Sequence, residues 1–401
     1  MNTRKPLLGS AVLVLALTVV GCSPGQPGSG EAPTEGEPII IGAAIAESGV
    51  LADFDVPPLN ALKMKVAEIN AAGGISGRQI EVLQEDTQSD IARGATAAQS
   101  LIDQGADIIV SSCDFDFGGP AATVGQQNGL ISFSLCAASP KFGVQGIGDL
   151  AFTPRGSIAT EAAVLAEYAG DQGWTDIVLL LDDSIAATSG LCSAFDEYFT
   201  EDGGTIGGVS QYVNTDTSFN AQVEFVKASD ADAVLLCGIP PSGASMMRQL
   251  RSSGVELPIL AGDPFDGDFW VEAVPGISGL YSLAAASIFG DSQVEGANDF
   301  FDDYEAAYGE RPFRGDAIYG YVIGQLLEAA LTANGGKTDG AALADHLEQD
   351  AVHTILGEYG FDPETHISLT QPWELLEFTD GAPASVGVFA PRRSVALSDG
   401  A

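Results

Sequence analysis

Basic residues are scarce in this chain. Its 401 residues hold 16 Lys and Arg against 55 Asp and Glu, a formal charge of −39. Such a surface repels phosphates and anionic headgroups, which excludes nucleic acid and an acidic lipid surface as partners. Most of these carboxylates are expected to serve solvation. Catalytic signatures are missing too: no G-x-S-x-G, P-loop or G-x-G-x-x-G string occurs, and no nucleophile sits beside a base in a recognisable pattern. A hydrolase is therefore the least supported class, the chain is expected not to be an enzyme, and no cofactor is expected. Histidine is limited to His346, His353 and His366, for which surface or packing roles outweigh a metal cluster. No C-x-x-C pair occurs, so a zinc site is not expected.

Long apolar runs are confined to the N-terminus. Arg4 and Lys5 precede an apolar stretch, Pro6 to Gly21, too short to span a membrane and suited to a signal peptide. It ends in Val19-Val20-Gly21-Cys22, which resembles the lipobox of bacterial lipoproteins, the alternative being an ordinary signal peptide with a chance cysteine. Ser23 to Pro38 follows as a Gly, Pro and Ser-rich tether with no apolar pattern. Residues 1–21 are thus expected to be a signal peptide and 22–37 a lipidated Cys22 plus tether, holding the protein outside the cytoplasm on the membrane's outer face. Loss of Arg4 and Lys5 brings the mature charge to −41.

Four further cysteines remain, Cys113, Cys136, Cys192 and Cys237, and outside the cytoplasm an even number favours disulfides. Three pairings are open. Cys113 and Cys136 end successive strands, so 113–136 is reachable if those strands are neighbours, leaving 192–237.

From Ile39 onward, apolar strands of about five residues alternate with amphipathic helices. Strands are expected over 39–46, 80–85, 106–111, 131–135, 176–181, 206–212, 233–236, 259–261 and 373–378. Helices are expected over 59–71, 92–104, 121–127, 160–172, 190–200, 220–228, 244–252, 318–333 and 340–349. Buried parallel sheets follow from this alternation, so the class is α/β and doubly wound. The chain is too long for one such sheet, which implies two lobes.

Several marks occur in a fixed order. They are Ser48-Gly49 after the first strand, INAAGGISGR at Ile69 to Arg78, Asp86, Cys113, the Ala137–Pro140 string AASP, Tyr319, and Gly360-Phe361-Asp362. In this order they resemble the type I periplasmic solute-binding proteins of the branched-chain amino acid (leucine/isoleucine/valine) class. The resemblance implies two lobes joined by a three-stranded hinge, crossing near Thr153, Ala285 and Gly357. It places 38–154 plus 286–356 in the N-terminal lobe and 155–285 plus 357–401 in the C-terminal lobe. It implies a monomeric receptor that closes on a small-molecule solute and delivers it to the permease of an ABC importer. A sensor subunit on the same fold is the alternative.

The resemblance also implies site residues. Ser48, Phe54, Cys136, Ala137, Asp183 and Phe265 lie on loops that would face the solute. In the family a hydroxyl after the Cys113 position and another on the AASP loop hold the solute carboxylate; here they are Asp114 and Ala138. Asp263 matches the acid that pairs with the solute amine. Ala187, and Ile239 or Pro240, stand where aromatics are usual. Trp270 lines either the pocket or the core. In CDFDFGG, Asp114 and Asp116 alternate with Phe115 and Phe117, which fits a cation site. Otherwise Asp116 caps a helix starting near Gly119 and the rings pack. The expected solute is small and polar: amino-acid-like, an amide or an amine.

Overall fold

A computed structural model describes residues 36–395, so the leader, Cys22 and most of the tether lie outside the described residues. The first lobe opens with β1 (Ile39–Ile45), α1 (Ala52–Ala71), β2 (Ile80–Asp86), α2 (Ile91–Asp103), β3 (Ile108–Ser111), α3 (Phe115–Gln127), β4 (Ser132–Ser134) and β5 (Ala151–Phe152). These strands form a parallel sheet in the order β2-β1-β3-β4-β5. Helices cover both faces, so β1 is apolar on both. Ile39, Ile41 and Ile45 enter the larger core, while Ala44 joins Leu101 and Ile109 on the other side.

The INAAGG segment explains itself here. Asn70 donates from Nδ2 to Ile80 O and accepts Ile80 N on Oδ1, pinning the end of α1 to the start of β2. Gly73 and Gly74 turn the chain at φ 107° and 72°. A Cβ on Gly74 would come within 2.0 Å of Arg78 O.

The second lobe runs through α4 (Ile158–Asp171), β6 (Asp176–Asp182), α5 (Ala186–Glu201), β7 (Thr205–Tyr212), α6 (Asn220–Ala228), β8 (Ala233–Cys237), α7 (Ser242–Ser252), β9 (Ile259–Ala261) and β10 (Leu280–Ala284). The chain returns to the first lobe for α8 (Ala297–Tyr308), α9 (Ile318–Ala333), α10 (Gly340–Gln349) and the hairpin β11 (Val352–Thr354) and β12 (Gly357–Tyr359). It ends in the second with β13 (Trp373–Thr379) and β14 (Ala382–Phe389), giving the order β14-β13-β10-β9-β8-β6-β7. Only β13 and β14 break the parallel arrangement. Each lobe has its own core, and the second lobe has one on either face of its sheet.

Two expected boundaries shift for a physical reason. α1 starts at Ala52, not Leu59, running through Pro57 and Pro58, which read as loop in sequence. α3 starts at Phe115, not Ala121, because Asp114 caps it. β5, β10, α8, the β11–β12 hairpin and β14 were not predicted; all but β10 and α8 are very short or have half-exposed alternating faces.

Among the described residues, three segments cross between the lobes. Thr153 to Ser157 is fully buried, Ala285 to Ser287 follows β10, and the third precedes β13. Tyr359 and Phe361 still belong to the first core, so the third crossing lies beyond the Gly357 boundary expected, near the Thr153–Ile367 bridge. Buried Glu374 fastens these strands together. Its carboxylate accepts Ser287 N (2.7 Å), Gln293 N (2.7 Å) and Ser292 Oγ (2.6 Å), as well as Ser385 Oγ. The disulfides are Cys113–Cys136, across the neighbouring ends of β3 and β4, and Cys192–Cys237, from α5 to β8.

Candidate functional site

Open parallel sheets leave their crevice at the carboxyl ends of the strands. In the first lobe that rim is organised by a residue the sequence reading passed over, Asp55 on α1. Fully buried, it accepts Ala46 N (2.8 Å), Cys113 N (2.8 Å) and Ser112 Oγ (3.0 Å), joining the ends of β1 and β3. Burial pushes its carboxyl up to about 6 despite these donors. Ser48 is exposed and spends its hydroxyl on Asp86 Oδ2 at 2.7 Å.

Asp114 is the N-cap of α3: its Oδ1 accepts Asp116 N (2.8 Å) and Phe117 N (3.4 Å). The cap is therefore Asp114, not Asp116, which lies exposed in the first turn. Phe115 packs half-buried against the small cluster around Ala122 and Phe142. Cys136 is held in its disulfide. Ala137 is buried, its N–H donating to Ser134 Oγ and its carbonyl accepting Thr153 Oγ1. Ala138 packs against the second lobe's core and brings no side-chain donor.

The second wall holds an ion network. Asp263 Oδ2 receives Arg155 Nη2 at 2.8 Å and Nε at 3.1 Å, and lies 3.8 Å from Arg314 Nη2. Arg155 also pairs with Glu161, whose other oxygen accepts Asp263 N at 3.1 Å. Arg314, between α8 and α9, pairs with Asp316 at 3.1 Å, and the next backbone N–H, Gly315, donates to Asp266 Oδ2 at 2.7 Å. Every member is buried. Burial, with Asp263 as neighbour, pushes Glu161 up to about 7, and burial lifts Asp266 well above the usual carboxylate range. Burial likewise raises Asp316 against the pull of Arg314.

The network bridges the lobes, because Arg314 and Asp316 come from the first and Arg155, Glu161, Asp263 and Asp266 from the second. Aromatic rings follow the same path. Arg314 lies over the Phe54 ring at 5.5 Å, and Phe313 meets Phe54 and Phe269 edge-on at 6.0 and 5.4 Å.

Two of the expected site residues, Phe54 and Asp263, each lie against Arg314. Phe265 does not join them: it is fully buried in the second lobe's core, edge-on to Trp270, which is core as well. Asp183 and Ala187 lie exposed after β6, and Ile239 sits half-buried beside the cis Pro240–Pro241 bond, all outside the network. The histidines take separate acids, His346 with Asp350, His353 with Glu358 and His366 with Glu348. Among the described residues no group that could hold a metal ion occurs. Arg155 and Arg314 were not anticipated. The available signal was their rarity as bases within apolar or small-residue strings, AFTPRGSIA and RPFRGDAIY.

Residues 38–383 match the profile of the family described as periplasmic binding protein. A Leu/Ile/Val-binding protein homologue of Brucella melitensis is 23% identical over 347 residues, covering 86% of this chain and 92% of the relative. The branched-chain amino acid transporter substrate binding protein of Streptococcus pneumoniae, solved with isoleucine, superposes with a TM-score of 0.73 at 26% identity. It covers 88% of this chain and all of its own. A putative branched-chain amino acid ABC transporter protein from Rhodospirillum rubrum reaches a TM-score of 0.76 at 21% identity, over 87% of this chain and all of its own.

Proposed function

Because the chain belongs to the periplasmic binding protein family, we propose that it is the solute receptor of an ABC importer. It binds a small polar solute between its lobes, closes on it by bending at the three crossings, and performs no chemistry. Cys22 anchors it by a lipid to the outer face of the membrane. It acts as a monomer, and the closed form is what the permease recognises.

The observation that carries this reading is the network that joins the lobes at the strand ends. Arg314 and Asp316 from one lobe meet Asp263 and Asp266 from the other, beside Phe54. A solute inserted there touches both lobes, so its binding energy is available to hold them together.

A thermal-shift screen of the mature protein tests it, because a ligand that binds only the folded state raises its stability. The panel spans amino acids, carboxylates, amides, polyamines and betaines. A dose-dependent rise in Tm with one chemical class is expected, with the solute recovered unchanged. No rise with any class, or turnover of a stabilising compound, contradicts the reading.

A further inference from the structure

We propose that the solute carries a carboxylate and that Arg314 receives it. This rests on the solute-receptor reading above and narrows it.

The first-lobe loops offer such a group little. Asp114 is an anion whose Oδ1 is committed to capping α3, and Ala138 has no side-chain donor. The buried guanidiniums are the alternative, and they differ in what they have left to give. Arg155 is spent: Nε goes to Asp263, Nη1 to Gly156 O and Nη2 to Glu161 and Asp263. It is a positioning residue that fixes Asp263. Both ion-pair contacts of Arg314, to Asp263 and Asp316, run through Nη2 alone. Its Nε is buried with no hydrogen-bond partner, although the residue is only 8% exposed.

A buried donor without an acceptor is costly, and a planar fork is the geometry a carboxylate meets with two oxygens at once. The guanidinium carbon lies 5.5 Å from the centre of the Phe54 ring, which holds the group beside an aromatic face. Asp266 adds a second unpartnered buried atom in the same network, Oδ1, while its Oδ2 holds Gly315 N. Burial raises the Asp266 carboxyl well above the usual range, which favours its neutral, donating form more than in a free carboxylate. Burial shifts Glu161 and Asp316 in the same direction, which weakens the repulsion an incoming anion meets. Asp263, with Oδ2 shared between two guanidiniums, is already compensated, so no ammonium on the solute is required.

Calorimetric titration of matched compounds tests the inference. One set is isovalerate, isovaleramide and isopentylamine, with leucine beside them; the other is benzoate, benzamide and benzylamine. Wild type is expected to bind acids in at least one set and neither the amide nor the amine of that skeleton. Arg314→Gln is expected to weaken the acid about thirtyfold or more, Arg314→Lys to restore part of it, and Asp114→Asn to leave it within about twofold. Melting of each variant shows whether it is folded, and the wild-type pattern decides even if Arg314→Gln is not. Binding of an amide or amine at the acid's affinity, or a folded Arg314→Gln with unchanged affinity, overturns the inference. If another solute of the wider screen binds and lacks a carboxylate, the inference falls and the receptor reading stands. If nothing in the wider screen binds, the receptor reading itself has failed.

Discussion

Asp55 and Glu161 carry the strongest residue-scale consequence. Their carboxyls sit near 6 and 7 in the folded chain, above ordinary values of 3.8 and 4.5, because burial penalises the charged form. A group raised in this way favours the folded state fully below its unfolded pKa and loses that contribution as pH climbs through the folded value. Tm is therefore expected to rise on acidification from pH 8 to 5.5, and Glu161→Gln to flatten that rise. An identical pH profile in the folded variant contradicts the assignment. Asp55→Ala removes the shared acceptor of Ala46 N, Cys113 N and Ser112 Oγ and is expected to cost roughly 2–4 kcal/mol, read from denaturant unfolding. A loss below about 0.5 kcal/mol would mean that water replaces the carboxylate at that rim.

Helix contacts at the scale of elements depend on absent side chains. A Cβ on Gly320 of α9 would fall 1.7 Å from Pro58 O on α1, so α9 lies on α1 at backbone distance. Gly320→Ala is expected to push the helices apart and lower stability by about 3 kcal/mol or more. Gly73→Ala meets open space but a φ of 107°, so its cost is conformational, about 1–2 kcal/mol. Chemical denaturation of the two variants separates steric from backbone strain, and equal costs would refute the distinction. Elements such as β1, α6, α9 and α10 were legible because their apolar patterning is local and unbroken. The start of α1 was not, since its tertiary seat against α9 overrides two prolines. At the site, Phe54 and Asp263 were singled out in sequence by their places after strands, and the structure sets each against Arg314. Arg314 was not, because it reaches Asp263 from 51 residues away and only the fold brings them together. Phe265 misled for the opposite reason: a core aromatic next to a site acid reads in sequence like a pocket wall.

At the scale of the whole molecule, two separately cored lobes meet through three crossings and one ion network. Glu374 ties the second and third crossings, and Gln371 links the third to α9 through Tyr319 and to Tyr359. In the proposed closure, bending would fall on the short crossing segments, while each lobe keeps its own core and disulfide. Small-angle X-ray scattering of the mature protein, alone and saturated with the compound of the screen that raises Tm most, tests the central claim directly. The account predicts a smaller radius of gyration with the compound than without it, and no such change in Arg314→Gln at the same concentration. A compound that raises Tm and leaves the scattering profile of the wild type open and unchanged would contradict closure around a solute held between the lobes.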